Sequence, residues 1–327
     1  MSASQLETWL NCPHSYLMQY VLKVQRVENP EELLEIDALE KGSLIHDVLE
    51  GWLCELLERD LPQPTHPWPQ EARARLREIA EAACADAEAR GVTGHPLLWR
   101  RDRRRILVDL ELFLRHDDAR RRKLSASPVA AEQPFGMPRG SGPPVEIDLG
   151  DGRTISVRGR IDRIDRTSDG TLVVVDYKTG STRHYDDLSD EQPLGDGTKL
   201  QLPIYALAVQ AADQDAPGVW TEYWFVSTKG EFRRVGYGLT DEVVEELREA
   251  LRVAVGGIET GLFPLRPPEP GWRPFTECIY CDPDELGTSG RYRDWERIRR
   301  VPELRDYVAF VEPTPSRTPR SSGDRPA

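Results

Sequence analysis

The chain has 327 residues, 39% of them apolar, and a formal net charge of −13. Such a length can bury a core as one large domain or two small ones, and the charge excludes a protein that coats nucleic acid through its overall field. The longest apolar runs fall short of the roughly 20 residues needed to span a bilayer, and Met1 to Glu7 lacks the basic and apolar regions of a signal peptide, so a cytoplasmic protein with no membrane partner is expected.

The N-terminus reads as a helix that Ser2 or Ser4 can cap, with Leu6, Trp9, Leu10, Tyr16, Leu17 and Tyr20 as apolar positions and a break at Asn11-Cys12-Pro13. Residues 27–41 are acidic and irregular. A firmer helix runs from about Ser43 to Leu61, where Leu44, Val48, Trp52 and Leu56 recur every four residues, and His46 and Glu50, also four apart, share another face. After a Pro-rich loop come helices at about 70–91 and 98–124. The second carries Arg100, Arg101, Arg103, Arg104, Arg105, Arg115, Arg120, Arg121, Arg122 and Lys123 over the apolar Ile106, Leu107, Leu110, Phe113 and Leu114. Two readings stay open for it: an ordinary solvated amphipathic helix, or a track for phosphates.

Residues 125–143 read as a connector. Strands near 144–149, 153–166 and 171–178 follow, and the short turns Gly150-Asp151-Gly152 and Ser168-Asp169-Gly170 predict an antiparallel meander. Asp162 and Ile164 share one face of the second strand, and Asp165 lies on the other. Asp176 and Lys178 share a face of the third strand with Leu172 and Val174, while Val173, Val175 and Tyr177 face away. Two carboxylates beside an ammonium at a strand end can hold Mg²⁺ and leave room for water and a phosphate oxygen; the plain alternative is a strand-end ion pair. The polar stretch 181–197 reads as a mobile loop. A helix at 199–212, which places Gln201 and Tyr205 on one face, strands near 219–226 and 232–238, and a helix at 241–260 complete an α/β fold with a central mixed sheet and flanking helices. The domain reading is a single domain over 1–312, a helical insertion at about 70–124, and a disordered, mildly basic tail at 313–327.

Four groups of residues, in this order, resemble a known family. Gly42-Ser-Leu-Ile-His46 with Glu50, Gly159-Arg-Ile-Asp162, Asp176-Tyr-Lys178 and Gln201-Leu-Pro-Ile-Tyr205 are similar to the motifs of RecB-like exonucleases of the PD-(D/E)xK nuclease superfamily. The resemblance implies a restriction-endonuclease-like core and a metal-dependent DNA nuclease, an exonuclease of repair or recombination. It implies Asp162 and Asp176 as ligands of Mg²⁺ or Mn²⁺, His46 as a nitrogen ligand, Lys178 as the group assisting the attacking water, Gln201 and Tyr205 as DNA-positioning residues, and Glu50 as a support behind the ligands. The helical block between the His46 motif and the sheet is expected to cap the cleft. The alternative is a non-catalytic nuclease-like subunit that holds DNA or a helicase partner; the chain has no Walker-type loop, so a helicase would be a separate subunit.

Of five cysteines, Cys12, Cys278 and Cys281 match three positions of the [4Fe-4S] cluster found in many such nucleases, but Gly287 stands where the fourth would be. A cubane normally has four thiolates. A carboxylate from Asp282 or Asp284, a Zn²⁺ site, or loss of the cluster with remnant thiols are the alternatives.

Overall fold

The computed structural model describes residues 1–24, 34–137, 142–267, 280–281 and 289–312. The expected tail at 313–327, Cys278, Asp282, Asp284 and Gly287 lie outside the described residues. In chain order the helices are α1 (Ala3–Asn11), α2 (Pro13–Tyr16), α3 (Ala38–Leu57), α4 (Gln70–Arg90), α5 (Pro96–Leu124), α6 (Gln201–Ala212), α7 (Asp241–Glu259), α8 (Ser289–Ile298) and α9 (Arg305–Val311). The strands are β1 (Ala126–Phe135), β2 (Val145–Asp148), β3 (Thr154–Val157), β4 (Gly159–Thr167), β5 (Leu172–Lys178), β6 (Val219–Phe225) and β7 (Arg234–Gly238). The chain gathers into two compact units.

The first unit takes in Met1–Ala3, Val27–Gly195 and Lys199–Leu247. Its centre is a five-stranded mixed sheet in the order β1-β4-β5-β6-β7, in which only β5 and β6 pair in parallel. The Ser168–Gly170 turn closes β4 on β5 as a hairpin, with Gly170 at φ 91°. A parallel β5–β6 pair needs a crossover, which α6 supplies.

Two expectations are corrected here. The supposed connector at 125–143 contains β1, whose Pro128 and Pro134 are tolerated because β1 is an edge strand bonded only to β4. The single strand expected over 153–166 breaks at Arg158: β3 pairs with β2 in a separate two-stranded sheet, so the three-stranded meander does not form.

α3 starts earlier than the sequence suggests because Asp37 Oδ2 accepts from Leu39 N at 2.8 Å and caps it. Leu44, Val48 and Trp52 of α3, Leu76 and Ala80 of α4, and Ile106, Leu110 and Phe113 of α5 form one cluster with Val173, Val175 and Tyr177 of β5 and Trp224 of β6. Fully burying a side chain as large as Phe113 contributes about 1.5–3 kcal/mol relative to leaving it exposed. The apolar sides of these helices therefore pack against the sheet face opposite Asp176. The other face carries α6 and the cluster of Leu202, Tyr223, Phe225, Val235 and Tyr237. The 181–197 stretch is also anchored in part: Leu188 joins that cluster, and the Tyr185 ring lies 4.8 Å from that of Tyr223.

The second unit takes in Ser4–Arg26, Asp196–Thr198 and Arg248–Ala327. Here the Trp9 ring meets Tyr307 edge-on at 5.1 Å, and Tyr307 Oη donates to Leu10 O at 3.2 Å. Gly257 is required, since a Cβ there would lie 2.0 Å from the Trp9 ring. The short helices α8 and α9 have no counterpart among the elements that the sequence predicts.

Candidate metal centre

Antiparallel pairing sets Arg163 opposite Val175 and therefore brings Asp162 level with Asp176 at the end of the β4–β5 hairpin. Tyr177 N donates to Asp162 Oδ2 at 2.6 Å, which fixes one carboxylate by the backbone of the strand that carries the other. His46, half-buried on α3, places Nδ1 3.4 Å from Asp162 Oδ2. On β5, Lys178 Nζ lies 2.5 Å from Asp176 Oδ2 and donates to Gln201 Oε1 at 2.9 Å. Tyr205, one turn along α6, is hydrogen-bonded to Gln201 and packs edge-on against Phe135. Gly159 makes room for both rings: a Cβ there would sit 2.8 Å from Phe135 and 3.0 Å from Tyr205.

One residue of this cluster is not among those the sequence singles out. Glu132 sits on β1 beyond the register shift between Pro128 and Ala130, with φ 45°. It joins His46 and Asp162 so that one ligand atom from each lies within 4.8 Å of the others. A lone acid in the largely apolar run Val129 to Phe135 is the available signal, obscured by the nearby prolines. Asp176 is turned toward Lys178 and is not part of that closest trio. Glu50 stands one turn beyond His46, near enough to Glu132 for its charge to act on it.

The electrostatics describe a surplus of negative charge. Burial raises the Asp176 pKa, and the Asp162 charge raises it further, against the pull of Lys178 and His46. Glu132 is pushed up to about 7 by burial and by the charges of Asp162 and Glu50, with Arg160 opposing. Burial disfavours a charged His46, yet Asp162 and Asp176 hold its pKa above the ordinary value. Asp176 Oδ2 is buried and, although close to Lys178, has no aligned hydrogen bond. Hard carboxylate oxygens and one imidazole form a donor set that fits a divalent cation such as Mg²⁺ or Mn²⁺.

The arginine-rich helix divides differently from its sequence. Arg120 and Arg121 are buried, and Arg120 pairs with Asp165 and, at 2.7 Å, with Glu222. Arg163 donates to Asp165 at 2.7 Å and lies 3.0 Å from Asp117. Asp165 is thus a structural acid, consistent with its placement on the face away from Asp176.

Among the cysteines, Cys12 and the buried Cys281 are hydrogen-bonded to each other, and this contact first, then Ser15 and the Arg266 backbone, brings the Cys12 thiol down to about 5 against the effect of burial. Cys84 is buried in the apolar cluster of α3 to α5, and Cys54 is exposed on α3. Even with Cys278, the terminal set is one thiolate short of a four-cysteine cubane, so the chain does not fit that cluster unaided.

A family model described as the PD-(D/E)XK nuclease superfamily matches residues 1–285. Among curated proteins, an "ATP-dependent helicase/deoxyribonuclease" subunit of Moorella thermoacetica is 29% identical over 225 residues, covering 67% of this chain and 18% of that protein. The protein of the same name from Symbiobacterium thermophilum is 34% identical over 222 residues, 64% of this chain and 17% of that one. That of Clostridium tetani is 26% identical over 223 residues, 66% and 18%. The chain thus spans less than a fifth of the length of these relatives. Among the described residues no helix is long and apolar enough to cross a membrane.

Proposed function

The chain belongs to the PD-(D/E)XK nuclease superfamily, and from that premise we propose that it is a metal-dependent DNA nuclease, an exonuclease acting in repair or recombination. The observation that carries this reading is the convergence of Glu132, Asp162 and His46, with Asp176 and its ammonium partner Lys178 beside Asp162 on the next strand. Glu132, Asp162, Asp176 and His46 would hold Mg²⁺ or Mn²⁺. When bound, the cation would polarise the phosphodiester and lower the pKa of a water molecule.

The remaining work falls to the chain itself. The Tyr177 amide keeps the Asp162 carboxylate oriented, so that it need not reorganise as substrate arrives. Gln201 accepts from Lys178 and holds the ammonium at the strand end, where it would assist the attacking water and offset charge growing on phosphate. Tyr205 braces Gln201, and the two position the strand. Glu50, whose charge acts on Glu132, would stand behind the ligands on α3.

DNA is the proposed substrate because the relatives are named as helicase/deoxyribonuclease subunits, and a separate helicase subunit is the proposed partner. The test is degradation of end-labelled linear single- and double-stranded DNA with Mg²⁺, Mn²⁺ or EDTA. The reading expects metal-dependent release of label that Asp176→Ala abolishes. Binding of DNA without cleavage under any metal would instead favour the non-catalytic reading.

A further inference from the structure

α5 carries acids and bases on different sides. Four of its five acids, Asp102, Asp109, Asp117 and Asp118, are buried, and only Glu111 is exposed. Arg100, Arg101, Arg104, Arg105, Arg115, Arg122 and Lys123 are all exposed and recur at helical spacing along one side. Its exposed basic residues gather toward the two ends, 100–105 and 115–123, and Glu111 is the one exposed acid between them, in a chain of net charge −13. Arg101 is engaged by Glu35 and Asp102, and Arg115 by Glu111. Among the described residues, Arg100, Arg104, Arg105, Arg122 and Lys123 pair with no carboxylate.

The helix also has a fixed position relative to the strand ends. Arg120 lies under mid-sheet, on Asp165 and Glu222. Eleven residues earlier, Asp109 accepts from Thr228 N at 3.1 Å, and Ser227 Oγ in turn donates to Thr179 O, next to Lys178. Asp109 is therefore level with the strand ends of the candidate metal centre. At about 1.5 Å of rise per residue, Arg105 stands roughly 6 Å and Arg100 roughly 14 Å beyond that level. From Arg100 to Lys123 the exposed side runs about 35 Å, the rise of about ten base pairs along a duplex axis at roughly 3.4 Å each. Arginine, with its planar fork of donors, suits phosphate better than lysine does.

We propose that the exposed face of α5 is a track for a nucleic-acid backbone, and that Arg100, Arg104 and Arg105 hold phosphates beyond the strand ends that carry Lys178. The proposal deepens the nuclease reading and rests on it.

Fluorescence anisotropy with a labelled 30-nucleotide single strand in EDTA tests it, comparing wild type with the triple variant Arg100→Gln, Arg104→Gln, Arg105→Gln. A control triple, Arg75→Gln, Arg77→Gln, Arg90→Gln, removes the same charge from exposed positions of α4. The track predicts at least about tenfold weaker binding for the α5 variant and a salt-dependence slope reduced by about 2, at roughly 0.7 per phosphate contact, with the control close to wild type. Equal loss in both triples, no loss in either, or no binding by wild type overturns the track. Metal-dependent hydrolysis of a thymidine dinucleotide, too short to reach α5, separates the two readings. If it persists in wild type and in the α5 variant, the nuclease stands whatever the fate of the track; if wild type cuts neither it nor DNA, the nuclease reading fails.

Discussion

Two clusters of charge lie on opposite faces of the same sheet, and they differ in balance. Behind the sheet, Arg120 and Arg163 meet Asp117, Asp165 and Glu222, every member ion-paired, and Arg121 packs beside them. In front, three carboxylates and an imidazole gather around one ammonium. Two aspartates that are both buried register the difference. The guanidinium groups of Arg163 and Arg120 overcome burial and hold Asp165 below its ordinary pKa, whereas burial and the Asp162 charge leave Asp176 above it. A buried cluster whose signs cancel is complete as it stands; one with surplus negative charge calls for a cation.

The strongest way to break this contrast is to remove one aspartate from each side. Asp165→Ala takes one carboxylate from each of two buried guanidinium groups, leaving Arg120 only Glu222 and Arg163 only Asp117, and should cost roughly 3–5 kcal/mol in urea unfolding. Asp176→Ala should leave the metal-free protein as stable as wild type or more so, while cleavage falls by more than about 100-fold. Equal destabilisation by the two substitutions would erase the distinction.

A smaller effect belongs to the acid on the edge strand. Glu132→Gln should weaken Mn²⁺ binding by about 10–100-fold, read by calorimetry, with little change in metal-free stability at pH 6. Unchanged affinity would remove Glu132 from the site.

The two faces should also respond to pH with opposite sign. Glu132, at about 7, and His46 both have pKa values above their ordinary ones, so the folded metal-free protein binds more protons than the unfolded chain. The stability they contribute is present at low pH and is lost as pH rises through about 7. Asp165 has a depressed pKa, and its contribution, present above the ordinary carboxylate range, disappears as the solution is acidified below it. Thermal melts in EDTA should therefore decline between pH 6 and 8, and Mn²⁺ should abolish that decline. Gly159→Ala is the mildest change: crowding Phe135 and Tyr205 should cost on the order of 1 kcal/mol, measured by urea unfolding.

Much of the contrast is legible in the sequence, because strand alternation depends only on local geometry. Alternation puts Asp176 and Lys178 on one face of their strand and separates Asp162 from Asp165 on the neighbouring one, the family resemblance points to Asp162 as the partner of Asp176, and four-residue spacing puts His46 and Glu50 on one side of a helix. What escapes depends on contacts distant along the chain. Glu132 reaches the site through an irregular edge strand whose prolines imitate a connector. The break at Arg158 lies inside a run that is strand-forming throughout and shows only in which sheet each half joins. Arg120 finds Glu222 102 residues away, so a basic stretch of uniform appearance splits into a buried half-turn and an exposed face. The polar α8 and the seven-residue α9 are too short to declare themselves by periodicity.

The central claim, that the front cluster binds a divalent cation, is tested most directly by titrating Mn²⁺ into metal-free protein by calorimetry in buffers of different ionisation enthalpy at pH 6.5. Because Glu132 and His46 must lose protons to serve as ligands, the account predicts saturable binding with net proton release that Asp162→Asn abolishes. Absence of binding, or binding with no proton release and no dependence on Asp162, would contradict it.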